Sequence, residues 1–214
     1  MKGLQGRFGS LLRRLGAHGD ATPEAVALLD AWAAPARRYN GTSHLLDCLA
    51  RLDESPAVPP ERDPVEAALW FHDAVYEPLA ADNEERSVDW ARGALARRDV
   101  APATIEEIAR LILLTRHGAP PSDPAGRLLC DIDLSILGRA PAEFAEYERG
   151  IRAEYAAVPE AAYREGRRRV LRAFLARDPL YGTSWFRERY EQAARVNLQR
   201  AIERLGPPDQ MPVG

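Results

Sequence analysis

Residues 64–78 read PVEAALWFHDAVYEP. Asp63 offers an N-cap, Pro64 a first helical position and Glu66 the return half of a capping box. Val65, Leu69 and His72 then fall on one helical face, and Pro78 closes the run. The pattern predicts a helix from Pro64 to about Tyr76. The same run carries an adjacent ionisable pair, His72-Asp73, between Trp70-Phe71 and Ala74-Val75. Polar neighbours in an apolar run must find partners or cost stability. A core histidine bonded to a carbonyl satisfies that demand; so does a metal or a substrate.

Working outward, the chain reads as helix after helix. Thr22-Pro23-Glu24 gives an N-cap followed by proline, and Asp82 with Glu85 and Thr104 with Glu107 read as two further capping boxes. Ile105, Ile108, Ile112 and Thr115 share one face. Phe144, Tyr147, Ile151, Tyr155 and Val158 mark another helix, and Phe186, Tyr190, Ala193 and Asn197 a last one. No stretch alternates with period two. The expectation is an all-α bundle of about eight to ten helices, with loops at 54–62, 118–126 and 178–184. Residues 1–20 read as an N-terminal arm or short helix, 21–205 as one helical domain and 206–214 as a frayed tail.

Composition sets the class. The 214 residues are 46% hydrophobic and 29% charged, as in an ordinary globular protein, and can bury a sizeable core. No apolar run reaches the ~20 residues that cross a bilayer, so no membrane partner is expected and the cytoplasm is the default compartment. The net charge of −3, with interspersed signs, disfavours nucleic acid as a partner. Lys2 is the one lysine, and the Arg167–Arg169 run reads as a solvated helix face. Cys48 and Cys130 are distant and lie in apolar contexts, which argues for buried thiols and against a disulfide or a zinc-thiolate site. Homo-oligomerisation stays open.

His72-Asp73 has company. His44 follows Ser43, an N-cap for a helix with Leu45, Leu46, Leu49 and Leu52. Asp131 and Asp133 sit in the apolar run LLCDIDLSILG. Buried carboxylates without counter-charge are costly, and a divalent cation is a common explanation for two histidines and two carboxylates so placed.

The order His … His-Asp … Asp resembles the HD superfamily of metal-dependent phosphohydrolases. The words RRYNGTSH, WFHDAVY, DNEERS, LTRH, DIDLSILG, IRAEY, GRRRVLRAFL and ARVNL, from about Arg38 to Leu198, are similar to its bacterial branch of predicted metal-dependent HD phosphohydrolases. The resemblance implies an HD-domain helical bundle. It makes His44, His72, Asp73 and Asp133 the metal ligands. Asp133 stands ahead of Asp131 because in such D-x-D words the second aspartate usually binds; Asp131 is then a helix cap or an orienting group. Two departures matter: Tyr39-Asn40-Gly41 stands where the branch often has Tyr-His-Asn, and His117-Gly118 where it tends to have two histidines. Both weigh against a histidine-rich di-iron oxygenase centre and leave a mononuclear set.

Two imidazoles and two carboxylates suit one divalent ion such as Mn, Fe, Co, Ni, Zn or Mg. The expected reaction is hydrolysis of a small-molecule phosphate ester or nucleotide by an activated water. Asp73 and Glu84 are the candidate catalytic bases, with Glu77 behind them. His117, Arg38 and Arg86 are the candidate substrate contacts, and Asn197 reads as a hydrogen-bonding core residue. A metal- or nucleotide-binding protein without turnover, used for sensing or assembly, is the alternative.

Overall fold

A computed structural model describes residues 2–56 and 61–206. Residues 57–60 of the expected 54–62 loop, and the expected frayed tail from 207 onward, lie outside them. The described residues hold ten α-helices, one 3₁₀ turn and no strand, so the protein is all-α. No described helix is long and apolar enough to cross a membrane. The chain divides into two compact units at Asp133/Leu134.

The first unit contains α1 (Lys2–Arg14), α2 (Thr22–Trp32), α3 (Thr42–Glu54), α4 (Arg62–Phe71), α5 (Asn83–Ala96), α6 (Pro102–Leu114) and α7 (Pro124–Asp133). Its centre is α4, whose residues from Val65 to Phe71 are all buried. A helix apolar on nearly every side must be enclosed, and α1, α3, α5, α6 and α7 all pack on it. α1 contributes Phe8, edge-on to Trp70 at 5.0 Å and to Phe71 at 6.1 Å. The one charged residue enclosed with α4 is Glu66. Its carboxylate accepts from Arg7 Nε at 2.7 Å and Arg14 Nη2 at 2.8 Å.

None of the three expected capping boxes forms. α4 starts at Arg62, so Asp63 lies inside the first turn and pairs with Arg14 at 2.8 Å, while Glu66 goes to α1. α5 has Asp82 at its N-cap without a side-chain bond, and Glu85 pairs with Arg116. α6 starts at Pro102, which leaves Thr104 inside the helix and Glu107 bonded to Arg110. In each case an arginine takes the carboxylate, because the guanidinium adds a full opposite charge that a backbone N–H lacks. Thr22 is the first residue of α2, and Asp20 accepts from its N–H at 2.9 Å. Ser43 likewise lies within α3, whose N-cap is Gly41.

The second unit consists of the 3₁₀ turn Leu134–Gly138, α8 (Pro141–Glu154), α9 (Glu160–Leu175) and α10 (Ser184–Arg204). Here a side-chain cap does form: Thr183 Oγ accepts from Phe186 N–H at 3.4 Å. α10 crosses so close to the turn that a Cβ on Gly138 would lie 2.6 Å from Tyr190 Cβ and 2.7 Å from its carbonyl oxygen. Asn197 Nδ2 donates to the Leu137 and Arg139 carbonyls at 2.9 Å each, the core role expected of it. Ala194 and not Ala193 belongs to the buried stripe. The solvated reading of Arg167–Arg169 is corrected: only Arg169 is exposed. Arg167 bonds Tyr147 Oη at 2.7 Å and pairs with Glu148, and buried Arg168 reaches Glu165 at 2.5 Å.

Candidate metal centre

α4 ends five residues earlier than the sequence pattern predicts. His72 is its C-cap: the His72 N–H still bonds Ala68 O at 2.8 Å, but Ala74 N–H bonds Phe71 O at 2.9 Å in a tighter turn. His72-Asp73 therefore opens a turn instead of continuing a helix. The His72 ring is buried, and its Nδ1 lies 3.0 Å from the Leu69 carbonyl oxygen. A carbonyl only accepts, so Nδ1 keeps its proton, and once Nε2 gives up its own the ring offers that nitrogen as a lone pair. The carbonyl-bonded core histidine and the candidate ligand are the same residue, using different nitrogens.

Nε2 faces two groups from other helices. His44, in the first turn of α3, brings its Nε2 to 3.3 Å from His72 Nε2. Asp133, the last residue of α7, places Oδ1 at 3.1 Å from His44 Nε2 and 3.5 Å from His72 Nε2. Among the described residues, His44, His72 and Asp133 form a group whose donor atoms all lie within 4.8 Å of one another, an arrangement that could hold a metal ion. Asp73 stands beside that group, with Oδ2 3.6 Å from His72 Nε2. Asp131 is buried two residues earlier on α7, about 200° round the helix from Asp133. No helix starts at Asp131, so it is not a helix cap.

The other oxygen of Asp133 is taken by His117, whose Nε2 lies 2.7 Å from Oδ2. His117 follows the C-terminal end of α6 in a left-handed conformation, φ 54°, which costs a non-glycine residue about 1 kcal/mol. The bond to Asp133 helps offset that strain. Trp32 and Tyr39 wall the imidazoles: Trp32 lies 5.4 Å from the His72 ring and 6.1 Å from His44, and Tyr39 lies 5.0 Å from His44. Buried Cys48 has Sγ 3.7 Å from His44 Nε2 and 3.8 Å from Nδ1.

Burial and charge compete at His72, Asp133 and Asp73. For His72, burial disfavours the cation, but the Asp73 and Asp133 carboxylates prevail and raise its pKa to about 9. Burial acts against the Asp133 carboxylate too, yet the bonds from His117, His44 and His72 hold it well below the usual carboxylate range. Asp73 goes the other way: burial raises it, only partly opposed by His72, His44 and Arg37. Burial, with Asp133, Asp47 and Asp73 nearby, pushes the Cys48 thiol up, away from the thiolate a metal would need.

The remaining candidates are less gathered. Glu84, in the first turn of α5, has Oε2 3.5 Å from Arg116 Nε, next to His117 in sequence. Arg86 is drawn to Glu77 at 2.8 Å, so both are committed to an exposed ion pair. Arg38 is exposed in the segment before α3.

Residues given no site role in the sequence analysis hold the turn. Arg37, beside Arg38, reaches the Asp73 and Ala74 carbonyls. The DNEERS word works through its uncharged members. Asn83 Oδ1 accepts from Glu77 N–H at 3.0 Å and Asn83 Nδ2 donates to Glu77 O at 2.8 Å, while Ser87 Oγ accepts from Val75 N–H at 3.1 Å. Their i, i+4 spacing was the available signal.

Compared with protein-family models, with curated proteins and with solved structures, the chain finds no match in any of the three.

Proposed function

We propose that His44 Nε2, His72 Nε2 and Asp133 Oδ1, completed by Asp73, hold one divalent metal ion, and that the protein is an HD-type hydrolase of a phosphate ester or nucleotide. One observation carries the reading. Donor atoms from three separate helix ends stand 3.1–3.5 Å apart. Ligands at ~2.1 Å from one ion, separated by tetrahedral or octahedral angles, stand ~3.0–3.4 Å apart. Mixed nitrogen and oxygen donors suit Mn, Fe, Co, Ni or Zn. The order and wording of the HD resemblance supply the reaction class.

A divalent ion bound here supplies a Lewis acid that polarises a phosphoryl oxygen and acidifies a water. The chain's own residues do the rest. His117 takes the outer oxygen of Asp133 and so aims the inner one. Asp73, whose burial raises its basicity, accepts the water's proton. Glu84 is kept as the second base, steered by Arg116. Arg38 is kept as the phosphate contact, while Arg86 serves the turn through Glu77.

The test begins with metal content, then Mn²⁺ or Co²⁺ replenishment and a panel of nucleotides and phosphate esters. The expected result is about one metal per chain, phosphate release from some panel members, and loss of both in His72→Ala. Stoichiometric metal retained at this site in His72→Ala and Asp73→Ala sinks the ligand assignment. Full metallation without phosphate release from any substrate leaves a metal-binding protein without turnover.

A further inference from the structure

The His72–Asp73 turn is fastened from outside its own helix. α4 stops at Phe71, so carbonyls just beyond it have no helical N–H to accept from. Arg37 supplies the donors. Its Nη1 donates to Asp73 O at 2.6 Å and to Asn40 O at 3.0 Å, and its Nη2 donates to Ala74 O at 3.0 Å. The guanidinium carbon lies 5.4 Å from the Trp32 ring centre and 5.7 Å from that of Tyr76. Trp32 is also the ring that walls His72 and His44. Its own Nε1 donates to Trp70 O at 3.0 Å, which fixes its orientation. One side chain thus ties the segment leading into His44 to the turn that carries His72 and Asp73.

We propose that Arg37 is a positioning residue for the metal centre: by bridging Asn40, Asp73 and Ala74 carbonyls it sets the separation of His44 from the His72–Asp73 pair. Its functional consequence rests on the metal reading given above. A guanidinium suits the task because its planar fork reaches several carbonyls at fixed angles. A lysine ammonium keeps the charge but loses that geometry. The cation also complements the C-terminal end of α4.

Arg37→Lys and Arg37→Ala test the inference, with Co²⁺ alone as the probe and amide hydrogen exchange of the metal-free protein as a second readout. The expected Arg37→Lys protein is folded by circular dichroism. It binds Co²⁺ ~10–100-fold more weakly, with an altered Co²⁺ absorption spectrum and faster exchange at the Ala74 and Val75 amides. Arg37→Ala shows at least as large a change. A folded Arg37→Lys protein with wild-type Co²⁺ affinity, spectrum and exchange overturns the proposal. If the wild type takes up no Co²⁺, the metal reading fails separately and exchange decides alone. Faster exchange at residues 73–76 then sustains the staple, and unchanged exchange overturns it.

Discussion

Metal uptake at this centre is expected to expel a proton, and the proton comes from His72. In the metal-free protein Asp73 Oδ2 at 3.6 Å and Asp133 Oδ1 at 3.5 Å hold the His72 imidazolium, raising its pKa from 6.5 to about 9 against the opposing effect of burial. A metal needs the neutral ring, so ion and proton compete for Nε2. Asp133, held ionised, has no proton to lose in this range. With His72 at about 9, apparent affinity rises ~50-fold between about pH 7 and about pH 9 and then levels off. The same proton stabilises the metal-free fold. Because the folded pKa is the higher one, that stability is complete below 6.5 and is lost as pH rises through about 9, about 3 kcal/mol in all. Calorimetric Mn²⁺ titrations in two buffers of different ionisation enthalpy read the proton directly. Affinity flat across this range, with no buffer-dependent heat, refutes the argument that carboxylates hold a proton where the ion must sit.

Three further outcomes test side-chain roles and packing in the two units. His117→Gly removes the left-handed strain, yet metal affinity should fall ~10-fold because Asp133 Oδ2 loses its donor; unchanged Co²⁺ affinity would show that His117 does not orient Asp133. Glu66→Gln should cost about 2 kcal/mol in urea unfolding, less than a fully orphaned buried pair, because Arg7 and Arg14 keep Asp53 and Asp63. A loss under ~0.5 kcal/mol would contradict the buried-network reading. Gly138→Ala should destabilise the second unit by about 3 kcal/mol, since the new methyl meets the Tyr190 backbone; a wild-type denaturation midpoint would contradict that close crossing.

The all-α class was legible because helical periodicity is local. Each apolar face, such as Ile105, Ile108 and Ile112 on α6, is written within a few turns of chain. Helix ends were harder. Asp63, Glu66, Glu85 and Glu107 all look like capping residues until an arginine competes for the carboxylate, and that arginine can be distant in sequence, as Arg7 and Arg14 are for Glu66. The end of α4 was misplaced for a related reason. The apolar run continues past Phe71, but bonds from Arg37, Asn83 and Ser87 hold residues 73–77 in a turn.

The sequence by itself determined a helical chain with His44, His72 and Asp133 in apolar segments, because burial pattern and residue chemistry are local properties. Only tertiary structure decided that their donor atoms converge, that Asp133 and not Asp131 joins the group, and that His117 takes the second carboxylate oxygen. It also decided that Arg37 grips the turn. Those choices turn on side-chain directions and on distances of a few ångströms between segments up to 89 residues apart. Near-adjacent aspartates look alike along the chain. They differ in which face of the backbone they leave, and packing fixes that face.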